Sequence, residues 1–193
     1  MILSPPERPA SDGFDLHVAM ADYLASHPQD KCALQTLRLL ETQSRCFEND
    51  CYDDGHVTGS AWILAPDRTH ALLTLHRKLG IWIQVGGHSD GNPDTLQVAL
   101  REAAEESGLA VRPLSTGIFD VEIHRFPAIG DAPPHLHYDV RFALIASDWS
   151  LAVSEESRQL AWMPLDRPDQ FTHDPSVRRM RDRWLKSACT RHT

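Results

Sequence analysis

The chain has 193 residues, of which 41% are apolar and 24% charged, a mixture that is typical of a folded globular protein and excludes a disordered one. Its formal net charge of −8 argues against a binder of duplex nucleic acid, which needs a basic surface to displace counterions. The apolar runs fall short of the roughly 18 residues that a membrane span requires, so no membrane partner is expected.

The N-terminal part of the chain is predicted to be helical. Residues 15–44 contain two stretches with apolar residues at helical spacing, and the segment 27–30 separates them with a proline. We expect two short helices that form an N-terminal helical extension over residues 1–50. The start of the chain lacks the basic segment and apolar core of a signal peptide, and the four cysteines form no CxxC pair. A cytoplasmic protein with reduced thiols is therefore expected.

From Gly55 the pattern changes to short segments rich in β-branched, aromatic and apolar residues, which predict strands. In chain order we expect strands at 56–65, 70–76 and 81–85, a helix at about 94–107, two alternating strands around the loop 127–134, a short strand at 161–165 and a C-terminal helix at 176–188. Strands before, between and after helices indicate the α/β class, with a mixed sheet flanked by helices over a domain of residues 51–193. Trp82 is expected to pack in the core.

The two alternating strands each have an apolar and a polar face. In the second strand the polar row consists of His135, His137, Asp139 and Arg141. His135 and His137 share a face, as zinc ligands would, but no third nitrogen or sulfur ligand has a telling spacing. The pattern therefore favours a plain polar strand face over a zinc site.

The segment 86–109 has the signals of a sharp turn followed by a helix. Gly86 and Gly87 let the chain turn directly after a strand. Asn92 or Asp94 can cap the helix that follows, and Gly108 is suited to end it. The segment is thus predicted to be a loop that leads into a well-defined helix.

That helix has an apolar arc and an acidic arc. The apolar arc consists of Leu96, Ala99, Leu100, Ala103 and Ala104. Glu102, Glu105 and Glu106 lie on the opposite side, with Cβ atoms of neighbours roughly 5–6 Å apart. Such carboxylates repel one another, and Arg101 neutralises only part of their charge. An acidic triplet alone is more often a solvated surface, but a hard divalent cation such as Mg²⁺ is a better partner, since it takes oxygen ligands and retains water.

The segment from Gly87 to Leu109 resembles the Nudix box: Gly, five residues, Glu, seven residues, Arg-Glu, a hydrophobic residue, any residue, Glu-Glu, any residue, Gly, a hydrophobic residue. All fixed positions but one are matched, by Gly87, Arg101, Glu102, Glu105, Glu106 and Gly108. The exception is the first Glu, where this chain has Pro93, with Asp90 and Asp94 near enough to supply a carboxylate. In the family that Glu mainly braces the loop and the arginine. The wider resemblance extends from Gly55 to Leu165.

The resemblance implies an α/β/α sandwich and a site for Mg²⁺, with Mn²⁺ as a substitute, that lowers the pKa of an attacking water. The implied metal ligands are Glu102, Glu105, Glu106 and the carbonyl of Gly87, with Glu106 and Glu102 the closest. Arg101 would orient the carboxylates. A further carboxylate from outside the box is expected as the base, with Glu156 first and Glu155 and Glu122 behind it. Arg77, Lys78 and His137 are candidates for substrate binding, although a basic turn is as often plain surface.

The function that the resemblance implies is a pyrophosphatase that hydrolyses a diphosphate bond in a nucleoside diphosphate linked to another moiety. The expected partner is a small nucleotide-type substrate, and a homodimer is compatible with the sequence. The alternative is a catalytically weak ligand-binding or sensor domain, which Pro93 suggests, although such domains commonly lose box glutamates. Isopentenyl diphosphate isomerisation is disfavoured because the expected strands contain no cysteine. Pro127 is at best a weak hint of an ADP-ribose or dinucleoside polyphosphate substrate.

Overall fold

An eight-stranded mixed sheet forms the centre of the molecule, and the computed structural model describes residues 14–76, 80–151 and 159–189. The elements are α1 (Leu16–Ser26), α2 (Lys31–Thr42), β1 (His56–Leu64), β2 (His70–Leu75), β3 (Trp82–Ile83), β4 (Val85–His88), α3 (Thr95–Ser107), β5 (Val111–Pro113), β6 (Asp120–Phe126), β7 (His135–Ala146), β8 (Leu160–Pro164) and α4 (Pro175–Cys189), with a short 3₁₀ turn at Pro168–Gln170. The predicted strand at 81–85 is two strands, and β5 was not predicted.

Strands β1 and β7 run parallel along the whole length of β1, and the other strands add to this pair. Strand β4 pairs antiparallel with the middle of β1, and β2 meets its end. Strand β6 forms a long antiparallel pair with the first half of β7, and β5 pairs with its end. Strands β3 and β8 both pair with β2. The parallel pair sets the register that brings the starts of β1 and β7 together.

Each face of the sheet is covered by helices. Alternate residues of β1 point to opposite faces, so Ala61 and Ile63 join one core and Trp62 and Leu64 join the other. The first core includes buried residues of α1, α2 and α3. The second core includes Val177 and other apolar residues of α4, and the half-buried Trp82 packs against it. The predicted α/β/α sandwich is confirmed, and the N-terminal helices share a core with the sheet.

The two N-terminal helices begin where aspartates cap them. The Asp15 carboxylate accepts hydrogen bonds from the backbone N–H groups of His17 and Val18, and the Asp30 carboxylate accepts one from Ala33. The predicted break at 27–30 lies between the helices, as expected. No helix in the described ranges is long and apolar enough to cross a bilayer.

The polar face of β6 and β7 is buried, which the alternating pattern did not predict. Arg141, with 2% of its side chain exposed, bonds the carboxylates of Asp139 at 2.7 Å, Asp120 at 3.0 Å and Glu122 at 2.6 Å. Two arginines of α4, Arg179 and Arg183, also bond Asp120. The polar row is buried because α4 covers it with arginines that balance its carboxylates.

Candidate functional site

Strand β4 and helix α3 bring the glycines and the glutamates of the box together. A Cβ atom at Gly87 would lie 2.5 Å from Cδ of Glu102, so the glycine leaves the space that the carboxylate occupies. The backbone N–H of Gly86 donates to Glu106 at 3.3 Å. Two of the three predicted glutamates therefore contact the backbone in the middle of β4. Only a residue without a side chain allows this close approach at Gly87.

The helix starts and ends at the residues that the sequence offered as caps. Asp94 is the N-cap and accepts from the N–H of Gln97 at 2.8 Å, while the Asn92 side chain accepts from the N–H of Asp94. Gly108 ends the helix in the left-handed conformation, with a φ of 66°. The helix packs closely on β1 because Gly59 has no side chain. A Cβ atom at this position would lie within 2.9 Å of the Val98 side chain. These contacts fix the direction of the acidic arc.

Arg101 joins the loop to the acidic arc. Its guanidinium donates to the carbonyl of His88 at 2.8 Å and to the Asp90 carboxylate at 3.1 Å. It also pairs with Glu102 at 3.0 Å and lies 3.7 Å from Glu105. Of the two aspartates near Pro93, Asp90 thus reaches the arginine, whereas Asp94 caps the helix.

Glu102 has a strongly perturbed carboxyl. Its side chain is 14% exposed, against 53% for Glu105. Burial raises the pKa of Glu102 to about 7, Arg101 opposes the rise, and the negative charges of Glu105, Glu106 and Asp90 add to it. The ionised form of this carboxylate is therefore disfavoured by the protein itself, and a nearby divalent cation would favour it.

The donor set at this place fits a hard cation, since it consists of carboxylate oxygens beside the backbone of Gly86 and Gly87. Within the part of the chain that the structure describes, the three glutamate carboxylates do not come within 4.8 Å of one another. The group of potential ligands that does so consists of histidines and is described below. Mutual repulsion and the pairing of Glu102 with Arg101 account for the separation. Metal ligation by the glutamates stays a prediction.

The other predicted site residues are either outside the described residues or held in other contacts. Arg77, Lys78, Glu155 and Glu156 lie outside the described residues. Glu122, the last candidate for a base, is engaged by Arg141, Arg179 and Ser176. Burial acts to raise the pKa of Glu122, but Arg141, Ser176 and Arg179 together outweigh it and the pKa is lowered. A carboxylate held in this way is a weak base, and its contacts are structural.

His137 lies in a cluster of histidines on the face of the sheet that α4 covers. His56 is its parallel partner in β1, His124 its antiparallel partner in β6, and His88 ends β4 beside β1. One ligand atom each of His56, His88 and His137 lies within 4.8 Å of the others. The spacing in the sequence showed no third ligand beside His135 and His137, and the structure places further imidazoles next to them. The missing partners come from strands whose register the local spacing does not show.

Two rings of the cluster, those of His56 and His137, are buried and uncharged. Burial lowers the pKa of His56 to about 4 and that of His137 to about 2, and the neighbouring histidines add to both shifts. The backbone of Cys51 opposes the shift of His56, although its contact falls short of hydrogen-bond geometry. At neutral pH these two imidazoles are therefore neutral and keep a lone pair on one nitrogen.

No family model and no curated protein sequence matches the chain, whereas many solved structures do. The C. elegans Ap4A hydrolase in a binary complex is 16% identical, with 69% of this chain and 98% of that chain covered and a TM-score of 0.53. The NUDIX domain of Shewanella oneidensis NrtR complexed with ADP ribose is 17% identical, with 78% and 97% covered and a TM-score of 0.51.

A third structure, the E. coli dihydroneopterin triphosphate pyrophosphohydrolase, is 16% identical, with 68% of this chain and 95% of that chain covered and a TM-score of 0.52. At such identities the likeness shows the architecture. The chain therefore has the fold of the Nudix hydrolases, which confirms what the box predicted about its structure.

Proposed function

We propose that this protein is a Nudix hydrolase that cleaves a diphosphate bond in a nucleoside diphosphate linked to another moiety, with Mg²⁺ as its cofactor and Mn²⁺ as a substitute. The observation that carries the proposal is that Glu102 and Glu106 both contact the Gly86–Gly87 backbone. Arg101 links the same place to the helix, since it bonds both the carbonyl of His88 and the carboxylate of Glu102. This arrangement occurs in a chain with the fold of hydrolases that act on such compounds.

Glu102, Glu105 and Glu106, together with the carbonyl of Gly87, would hold the cation. When bound, the ion supplies charge to offset the diphosphate oxygens and lowers the pKa of a water molecule. The formal charge of −8 supports a bridging cation, since an acidic protein otherwise repels an anionic substrate. Arg101 orients Glu102 through an ion pair, and Asp90 balances part of the positive charge of Arg101.

Asp90 takes the bracing role of the box glutamate that Pro93 replaces. Its carboxylate pairs with Arg101 and accepts from the Asn49 amide at 2.5 Å, which ties the box loop to the segment before β1. Pro93 therefore does not remove the support of the arginine. This counts against a chain that has become only a sensor.

The remaining roles are proposals from the resemblance. Glu156 is the proposed base, and Arg77 and Lys78 are proposed to bind phosphates. The resemblance also proposes His137 as a substrate contact, and its side chain lies on the face of the sheet opposite to Gly87 and Glu102. The substrate is proposed to be a small nucleotide-type molecule, since structures with this fold include an Ap4A hydrolase and a domain complexed with ADP ribose.

The test is a panel of nucleoside diphosphate compounds, among them ADP-ribose and dinucleoside polyphosphates, incubated with Mg²⁺ or Mn²⁺ and assayed for phosphate or nucleotide release. We expect at least one compound to be hydrolysed by the wild type and not by Glu106→Gln. Glu41→Gln, a change of an exposed glutamate on α2, is the matched control and should leave turnover unchanged. Undiminished turnover by Glu106→Gln would refute the site. A compound that raises the melting temperature without being hydrolysed would identify a sensor.

A further inference from the structure

Three histidines from three strands meet at one end of the sheet. His56 begins β1, His137 is its register partner near the start of β7, and His88 is the last residue of β4. Their ligand atoms lie within 4.8 Å of one another. Around a tetrahedral zinc ion with Zn–N bonds of about 2.0–2.1 Å, nitrogens are separated by roughly 3.4 Å. Small ring rotations therefore bring the three nitrogens to the distances of a metal site.

The buried ring of His56 has no hydrogen-bond partner at either nitrogen. Only 1% of this residue is exposed. Buried polar groups in native proteins are nearly always satisfied, so an orphaned imidazole calls for an explanation. A metal ion that takes its lone pair provides one, and the nearby backbone of Cys51 is placed to receive the other ring N–H.

The ring of His137 is held by its neighbours. His135 Nδ1 lies 2.7 Å from the carbonyl oxygen of Pro133, which can only accept, so this nitrogen carries the proton. In the neutral ring, His135 Nε2 then accepts from His137 Nε2 at 3.0 Å, and His137 keeps the lone pair on Nδ1. Phe126 stacks on the same ring, with centroids 4.6 Å apart. His135 thus accepts a hydrogen bond from the ring nitrogen of His137 that faces away from the metal, and such hydrogen bonds orient histidine ligands in metal sites.

We propose that His56, His88 and His137 form a binding site for one borderline transition-metal ion, of which zinc is the representative. The group contains imidazoles and no carboxylate, which selects such ions over Mg²⁺. His88 is exposed, so the fourth position opens to solvent and can take a water molecule or a ligand atom.

This site is separate from the glutamates. Successive residues of β4 face opposite sides of the sheet, so Gly87 faces Glu102 on α3 whereas His88 faces the other two histidines. The proposal therefore does not depend on the hydrolase function. A chain without hydrolytic activity would still bind zinc here.

The test uses the full chain without an affinity tag, freed of metal with a chelator and titrated with ZnCl₂ by calorimetry, with metal analysis and thermal unfolding in parallel. We expect one equivalent of zinc and a higher melting temperature. His88→Gln, a change at an exposed position, should weaken zinc binding by more than about 100-fold, since even outer partners of metal sites cost 10–100-fold. His135→Asn should weaken it by about 10–100-fold.

His17→Gln, at an exposed position on α1, is the matched control and should bind zinc as the wild type does. Glu106→Gln should also bind zinc normally, whereas it loses Mg²⁺-dependent hydrolysis, so the two proposals fail separately. The absence of stoichiometric zinc binding would overturn the site. Equal zinc affinity of the wild type and His88→Gln, or loss of zinc by Glu106→Gln alone, would overturn it as well.

Discussion

Two groups of carboxylates in this protein differ in how their charge is balanced. Asp120, Glu122 and Asp139 lie under α4, where Arg141, Arg179 and Arg183 bond them. Beside α3, by contrast, the three carboxylates of Asp90, Glu102 and Glu105 share one arginine, Arg101. The first group is complete within the fold. The second has an excess of negative charge that an external cation would balance.

The pKa values separate the two groups in the same way. Burial acts to raise the pKa of Asp139, but Arg141, His124 and Ser60 together outweigh it and the net shift is downward. At Glu102 burial prevails over Arg101, and the pKa rises to about 7. The first group therefore favours its ionised form within the fold, whereas the ionised form of Glu102 is disfavoured unless a further cation is present.

The largest expected effect comes from breaking the balanced group. Arg141→Met leaves three buried carboxylates without their shared partner and should reduce the free energy of unfolding by about 3–5 kcal/mol. Urea unfolding at pH 7 followed by circular dichroism measures it. Arg112→Met, at an exposed position on β5, is the control and should change stability by less than about 0.5 kcal/mol. A loss no larger than that of the control would show that the network is not structural.

The next effect concerns the space at Gly87. Gly87→Ala places a methyl group against the Glu102 carboxylate and should displace it. A shift of about 1 Å in a catalytic group can cost about 100-fold in rate, so kcat for the substrate found in the panel should fall by that order. Gly117→Ala, in an open turn where a Cβ meets only the Ser115 hydroxyl, is the control and should keep full activity. Wild-type kcat in Gly87→Ala would contradict this contact.

How much of this could be predicted from the sequence differs between the two groups. The residues of α3 are neighbours along one helix, so spacing alone placed Glu102, Glu105 and Glu106 on one side and identified the caps. The partners of Arg141 come from β6 and β7, and those of His137 from β1 and β4. Their meeting depends on strand register, which local pattern does not determine.

The sequence of α4 also indicates that the polar row of β6 and β7 is buried, although the pattern of the strands alone does not. In α4, Val177, Met180 and Trp184 follow helical spacing and form its buried side. Arg179 and Arg183 lie one turn apart beside that side and bond the carboxylates of β6. Arginines bordering the apolar side of a helix are suited to cover acidic residues of a strand. Which acidic strand they would meet still required the tertiary structure.

The smallest expected effect is a gain in stability. A carboxyl whose pKa is raised on folding stabilises the protein below pH 4.5, and this contribution is lost as the pH rises through 7. Without metal, Glu102→Gln should therefore be more stable than the wild type by about 1 kcal/mol at pH 8, and the gain should vanish near pH 5. Chelator-treated proteins are compared by urea unfolding at both pH values. A variant that is less stable at pH 8 would show that the charge of Glu102 is well satisfied.

The central claim is that the excess charge on α3 is a site for a divalent cation. It is tested most directly by thermal unfolding of chelator-treated protein as Mg²⁺ is added, since a ligand that binds the folded state raises its melting temperature. The melting temperature of the wild type should rise with Mg²⁺ concentration, and that of the Glu102→Gln, Glu106→Gln double variant should not. An equal rise in both proteins, or none in the wild type, would contradict the account.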